Sequence, residues 1–317
     1  MNLNVKNETS TLKAVVLGQA DSRGQIPTPD KTYDAKSYES VQKGIYPTEE
    51  ATYKEMSAFE KVLLRYDVQV FHPWTLENCN QIFARDVGFV IDDKIINSNI
   101  IPDREDEKEA YEVVYDQIAY NKIYNLPERA HVEGGDVVLY NDVVFVGVYS
   151  APDYPQLKTA RTNLYAFDFL KEIFPHKTFI PLETIKHDTD PRLSVLHLDC
   201  CFMPVSQDRA LIYKDGFRFK KDVQLLTEMF GENNLFSITR EEMYQMNTNV
   251  FSISPKVVVS EQNFNRLNNF IFFVTWYLLF QRVDYLGGWS LREVAFLFGI
   301  SAAGFGLGYG LLSGFVR

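Results

Sequence analysis

The stretch LHLDCC, Leu196 to Cys201, places a histidine, an aspartate and two adjacent cysteines within five positions. Three chemistries could use these residue types: a thiol activated by a neighbouring base, a metal centre, or one part of a larger acid–base site. Three further stretches carry comparable residues: NQIFARD (80–86), HVEGGDVV (131–138) and RTN (161–163). Read as a strand, 196–201 alternates its side chains, so His197, Asp199 and Cys201 share one face. Cys201 then lies roughly 13 Å along the chain from His197. That is beyond the hydrogen-bond reach of a nucleophile and its base. Adjacent cysteines do not match a zinc-binding CxxC pattern, and no second Cys/His cluster completes four ligands, so no metal is expected. Cys200 and Cys201 are read as packing residues. EGGD alone is compatible with an ordinary turn, and His197 alone with a satisfied core histidine.

Elements of α/β type must position these groups. KAVVLG, VQVFHP, VGFVIDDKIINS, DVVLYNDVVFVG, KTFIPL, LSVLHLDCCFMPV, RALIYKDGF and NVFSISPKVVVS read as strands or strand pairs. EEATYKEMSAFEKVLLRY, EDEKEAYEVVYDQIAYNKI, RTNLYAFDFLKEIF, FKKDVQLLTEMFG and SEQNFNRLNN carry apolar residues at helical spacing. The unit is roughly strand–strand–helix–strand, which predicts an α/β repeat and not a simple doubly wound sheet. Composition changes at Asn268–Asn269, which divides the chain into a body, 1–268, and a hydrophobic tail, 269–317. In the tail, 270–280 is uncharged, and 294–316 runs 23 residues without a charge and contains six glycines. That length can cross a bilayer, and glycines four apart allow close helix approach in membranes. The tail is therefore expected to be helical, with membrane contact through 270–316 or an origin as a chimeric fusion.

Taken together and in order, Phe-x-Arg-Asp (83–86), Glu-Gly-Gly-Asp (133–136) and His-x-Asp (197–199) resemble the guanidino-group-modifying superfamily. Its members include arginine deiminases, dimethylarginine dimethylaminohydrolases and glycine amidinotransferases. The resemblance covers about residues 12–268. It implies a five-bladed, pseudo-symmetric α/β propeller (the pentein fold), incomplete in its last blade. It also implies a small cationic guanidino substrate held by carboxylates through charge-assisted hydrogen bonds. By that resemblance His197 is the general acid/base, Glu133 fixes its charge and orientation, and Asp86 and Asp199 grip the guanidinium. Asn80 and Phe83 line the pocket, Arg104 and Arg161 meet a substrate carboxylate, and Asp136, grouped with them, braces the turn. No cofactor is implied.

The family nucleophile lies in a Gly-Gly-x-x-x-Cys-x-Thr loop after the final strand, and this sequence has no cysteine beyond Cys201. Hydrolysis of arginine or methylarginine through a covalent cysteine adduct is therefore expected to be lost or severely impaired. Amidino transfer to an amine is the alternative chemistry, and a non-catalytic, membrane-tethered or chimeric relic the alternative of another class. Only 44 residues, Val87 to Ala130, separate the first two motifs, which resembles the compact dimethylargininases more than the deiminases. The tail faintly resembles a segment of ABC-2-type permeases. A net charge of −10 argues against nucleic-acid binding. Three cysteines and a polar, non-signal start fit a reducing cytoplasmic setting.

Overall fold

The computed structural model describes residues 1–270 and the backbone of 314–316. Five small sheets follow one another along the chain. The first pairs β1 (Ala14–Val16) in parallel with β2 (Gln69–Phe71). The second joins β3 (Gly88–Ile91) and β4 (Lys94–Asn97) as a hairpin, with β5 (Ile123–Asn125) parallel to β4. β6 (Val137–Tyr140), β7 (Val143–Val148) and β8 (Thr178–Glu183) repeat that pattern. So do β9 (Phe202–Pro204), β10 (Ala210–Ile212) and β11 (Leu235–Ser237). The last sheet joins β12 (Phe251–Ser254) and β13 (Val257–Glu261), with β14 (Gly314–Val316) antiparallel to β13.

The fold is thus mixed α/β with a repeating unit, and the first and last sheets depart from it. In the three regular sheets the third strand is parallel to the second, whereas β14 is antiparallel. Among the described residues, the first sheet has two strands only, and β1 has no partner on its other edge. Gly314–Val316, expected to be helical, is a strand in register with Val259–Glu261. An open sheet edge offers unpaired N–H and C=O groups to whatever extended segment lies beside it. The expected tail helix and membrane contact otherwise lie outside the described residues. Among those described, no helix is long and apolar enough to cross a membrane.

Helices connect the strands where caps and apolar stripes coincide. α1 (Ala35–Gln42) starts at Asp34, whose side chain accepts from the Ser37 amide. α2 (Glu49–Arg65) starts at Thr48, which accepts from the Ala51 amide. It carries Glu49 and Glu50 in its first turn and buries Met56, Phe59 and Leu63 along one stripe. α3 (Ala84–Val87) is a single turn within the first motif, and α4 (Glu112–Tyr115) follows a 3-10 stretch, Pro102–Tyr111. The expected helix over EDEKEAYEVVYDQIAYNKI is therefore largely 3-10 in its first half, because the segment turns inward to bury Arg104 and Glu107. α5 (Leu164–Ile173) begins at Asn163, which caps it through Ala166, as the RTN stretch predicts. α6 (Lys220–Phe230) buries Leu226 and Phe230, and α7 (Arg240–Tyr244) carries a capping box between Thr239 and Glu242.

Residues 193–201 correct the strand reading. Leu198–Cys200 is a 3-10 turn, and the strand starts only at Phe202. Side chains therefore do not alternate there, and the separation of roughly 13 Å argued from strand geometry does not apply. Cys201 is fully buried in the core with Phe202, Leu211 and Leu226. The Cys200 sulfur instead lies 3.4 Å from the Asp199 carboxylate and borders the central cleft.

Candidate active site

Three short backbone pieces meet at the centre: the α3 turn with Asp86, the Gly134–Asp136 turn after Glu133, and the Leu198–Cys200 turn after His197. Contact between the first two is so close that a β-carbon on Gly134 would lie 2.0 Å from the Arg85 carbonyl oxygen. Gly135 sits under the His197 ring, where a β-carbon would come within 2.7 Å of Cγ and Nδ1. Asp86 Oδ1 accepts from the Gly135 amide at 3.3 Å. These approaches bring Asp86, His197 and Asp199 onto one cleft of about 2170 Å³, with Glu133 buried behind them.

The buried Glu133 Oε2 lies 2.8 Å from His197 Nε2, and Asp86 Oδ1, on the cleft wall, lies 3.7 Å from His197 Nδ1. Burial alone would lower the imidazole pKa, but the Asp86 charge, the Glu133 hydrogen bond and Asp136 outweigh it and raise the pKa to about 9. Burial likewise opposes ionisation of Glu133, yet Arg161, His197 and Arg104 hold it well below the usual carboxylate range. His197 is therefore an imidazolium at neutral pH, clamped between two carboxylates, ready to donate a proton. Asp199 completes the wall. Its carboxylate lies 3.4 Å from Arg85 Nε, and Asn249 donates to its main-chain oxygen at 3.0 Å. Burial pushes the Asp199 pKa up, against the pull of Arg85.

Arg104 and Arg161 are buried rather than solvated. Arg104 forks Glu107 at 2.7 and 2.9 Å and reaches Asp86 at 2.8 Å. Arg161 Nη1 donates to both Glu133 oxygens, at 2.9 and 2.7 Å, and its Nη2 donates to the Tyr33 carbonyl. Both therefore border the cleft while already engaged by carboxylates. The Tyr33 ring lies over both guanidinium groups. Asn80 borders the cleft and donates to the Tyr33 hydroxyl at 3.4 Å, while Phe83 packs under Arg104.

Asp136, grouped with the substrate-facing residues, is not on the cleft wall. It is buried and accepts from the Leu198 amide at 2.9 Å and the Thr162 hydroxyl at 2.7 Å. It thereby braces the turn that carries His197 and Asp199. Sequence reasoning missed Tyr33, Arg85, Glu107 and Asn249. Arg85 lay inside a quoted motif, and Glu107 follows Arg104 at the i+3 spacing of a helical ion pair, while Tyr33 and Asn249 gave no local signal.

Asp86, Glu133 and His197 present ligand atoms within 4.8 Å of one another. A cation could bridge that spacing, but Arg104 and Arg161 already neutralise the two carboxylates.

The imidazolium makes stability depend on pH. Folding raises the His197 pKa from 6.5 to about 9, so its contribution is complete below the unfolded value and is lost as pH climbs through the folded one. We expect thermal stability to fall by on the order of 1–3 kcal/mol between about pH 6.5 and about pH 10. The fall should be shallower in His197→Gln, and parallel melting curves for the two proteins would refute the assignment.

Fold and site together define a mixed α/β protein of the guanidino-group-modifying superfamily. The sequence model of the family described as "N,N dimethylarginine dimethylhydrolase, eukaryotic" matches residues 30–269, and the chain belongs to that family. It is 30% identical over 183 residues to the uncharacterized protein YkgA of Bacillus subtilis, a match covering 57% of this chain and 55% of YkgA. The chain thus spans about half the length of that relative. Among solved structures, the inosamine-phosphate amidinotransferase StrB1 of Streptomyces griseus is similar with a TM-score of 0.66 at 14% identity, over 87% of this chain and 90% of StrB1. The N-terminal domain of ArgZ, an arginine dihydrolase from cyanobacteria, bound to product, gives 0.66 at 14% identity over 83% and 88%. DDAH from Pseudomonas aeruginosa, a cysteine-to-serine mutant complexed with citrulline, gives 0.61 at 16% over 83% and 89%. At these identities the likeness concerns the fold. The faint permease resemblance of the tail finds no counterpart among these relatives.

Proposed function

We propose that the chain binds the guanidinium group of arginine or a methylarginine between Asp86 and Asp199, with the Glu133–His197 pair as its proton donor and acceptor. The observation that carries this reading is the His197 ring on the wall of the cleft, held between Glu133 at 2.8 Å and Asp86 at 3.7 Å. The five sheets are read as propeller blades around the cleft, the last without, among the described residues, the parallel third strand of the three regular sheets. In the reaction the family resemblance implies, a thiol adds to the guanidinium carbon, and the amine departs with a proton from His197. Water, deprotonated by the same imidazole, then releases the thiol and leaves a ureido product. The thiol nearest the cleft is Cys200, and burial, then the Asp199 charge, raises its pKa well above the ordinary value. A thiol kept protonated is a poor nucleophile, so turnover is expected to be slow and binding to be the dominant property.

Calorimetry with L-arginine and assay of citrulline release by the full chain test this together. Asp86→Asn should weaken arginine binding by about ten- to a hundredfold, since it removes one charge-assisted pair. Any citrulline release should vanish in His197→Ala. Absence of arginine and methylarginine binding to the wild type would overturn the reading.

A further inference from the structure

The N-terminal segment, outside the matched residues 30–269, is stitched across two sheets. Val5 bridges Asp92, Asn7 bridges Tyr140, and the Glu8 amide donates to the Leu139 carbonyl at 3.2 Å. This places the Glu8 carboxylate against Arg85, where it accepts from Nη1 at 3.2 Å and Nη2 at 3.1 Å. Glu8 also accepts from the Leu139 amide at 3.1 Å, and Arg85 Nη2 donates to the Val137 carbonyl at 2.9 Å. The remaining Arg85 nitrogen, Nε, faces Asp199 at 3.4 Å. Glu8, Arg85, Asp86 and Asp199 all border the same cleft.

We infer that Glu8 is a specificity-determining residue of this site, acting through Arg85 to keep Asp199 available for a cationic ligand. The inference rests on the guanidine-binding reading and adds a residue to it. Arg85 is a permanent cation beside one of the two carboxylates proposed to grip a second cation. Left unpaired, its guanidinium would satisfy Asp199 and repel the ligand's positive charge. Glu8 forks both Nη groups and cancels that charge, and the bidentate geometry fixes the direction in which Arg85 points. The Asp199 charge is then left for the ligand. Glu8 touches no ligand in this arrangement and is a positioning residue.

Paired titrations of the full chain with L-arginine and L-citrulline separate this role from a general structural one. The two ligands share a backbone, but citrulline carries a neutral ureido group where arginine carries its guanidinium. Glu8→Gln should weaken arginine binding by about tenfold, the scale of one uncompensated charge a few ångströms away in a partly screened site. Citrulline binding should change by less than about twofold, because a neutral group gains or loses little from the added charge. Glu8→Gln combined with Arg85→Gln, which removes both charges, should restore the arginine-to-citrulline ratio. If Glu8→Gln does not fold, Glu8→Asp keeps the charge one methylene further away and should shift the ratio in the same direction by less. Parallel loss of both ligands, or an unchanged ratio with wild-type arginine binding, would overturn the role of Glu8 and leave the guanidine reading standing. Wild-type protein that binds neither ligand would overturn both.

Discussion

Replacing Glu133 with alanine is expected to destabilise the protein by about 3–5 kcal/mol, the cost of breaking a buried ion pair by removing one partner. Glu133 is fully buried, and so is Arg161, which holds both of its oxygens. Arg104 lies 3.4 Å away and His197 2.8 Å away, so three cations or potential cations converge on one carboxylate. The same carboxylate accepts from the Ile101 amide at 3.2 Å. Alanine would leave the buried Arg161 charged with no carboxylate beside it. Melting should occur on the order of 10 °C lower, given the shift per kcal/mol usual for a body of this size. Glu133→Gln separates charge from shape. It keeps acceptor oxygen and volume, so it should lose less stability while lowering the His197 pKa below about 9, because the imidazolium loses a hydrogen-bonded anion. An NMR titration of His197 in Glu133→Gln reads that directly, and an unchanged imidazole pKa would show that Asp86 and Asp136 alone support the charge.

The three motifs were legible because each keeps its chemistry within four residues and each is held at a turn, where sequence and geometry coincide. Their convergence followed from order and resemblance, and the Glu133–His197 contact agrees with it. The strand reading of 196–201 failed for a tertiary reason. Val and Leu at alternating positions suggested a strand, but Asp136 captures the Leu198 amide and Asn249 captures the Asp199 carbonyl. Both bonds come from residues about fifty positions away or more, and they hold the chain in a 3-10 turn that no local pattern encodes. The error mattered, because it turned Cys200 away from the cleft that it borders. The burial of Arg104 was hidden for a different reason. In the charged run PDREDEKE every residue looks exposed, yet Arg104 and Glu107 turn inward as a forked pair and neutralise each other in the core. Tyr33 and Glu8 reach the site from segments with no motif at all, so only the folded chain could place them.

Gly134→Ala should be about as damaging as the loss of Glu133, by a purely steric route. The added methyl would meet the Arg85 carbonyl oxygen at 2.0 Å and the Phe89 β-carbon at 3.3 Å. The first of these is backbone, which cannot rotate aside, so α3 and the Gly134–Asp136 turn must separate. That separation would stretch the bond from the Gly135 amide to Asp86, already 3.3 Å long, and would move Asp86 relative to His197. Overpacking of this kind costs about 3 kcal/mol or more when backbone must shift. Gly44→Ala supplies the contrast. Gly44 has a positive φ of 66°, and no atom lies within 4 Å of where its methyl would sit, so only backbone strain of about 1–2 kcal/mol is expected there. Denaturant unfolding of the two variants, alongside arginine titration, distinguishes the mechanisms: Gly134→Ala should lose stability and ligand together, whereas Gly44→Ala should lose a little stability and keep the ligand. A Gly134→Ala protein with the wild-type midpoint would mean that the two turns are not in the tight contact on which the placement of Asp86 depends.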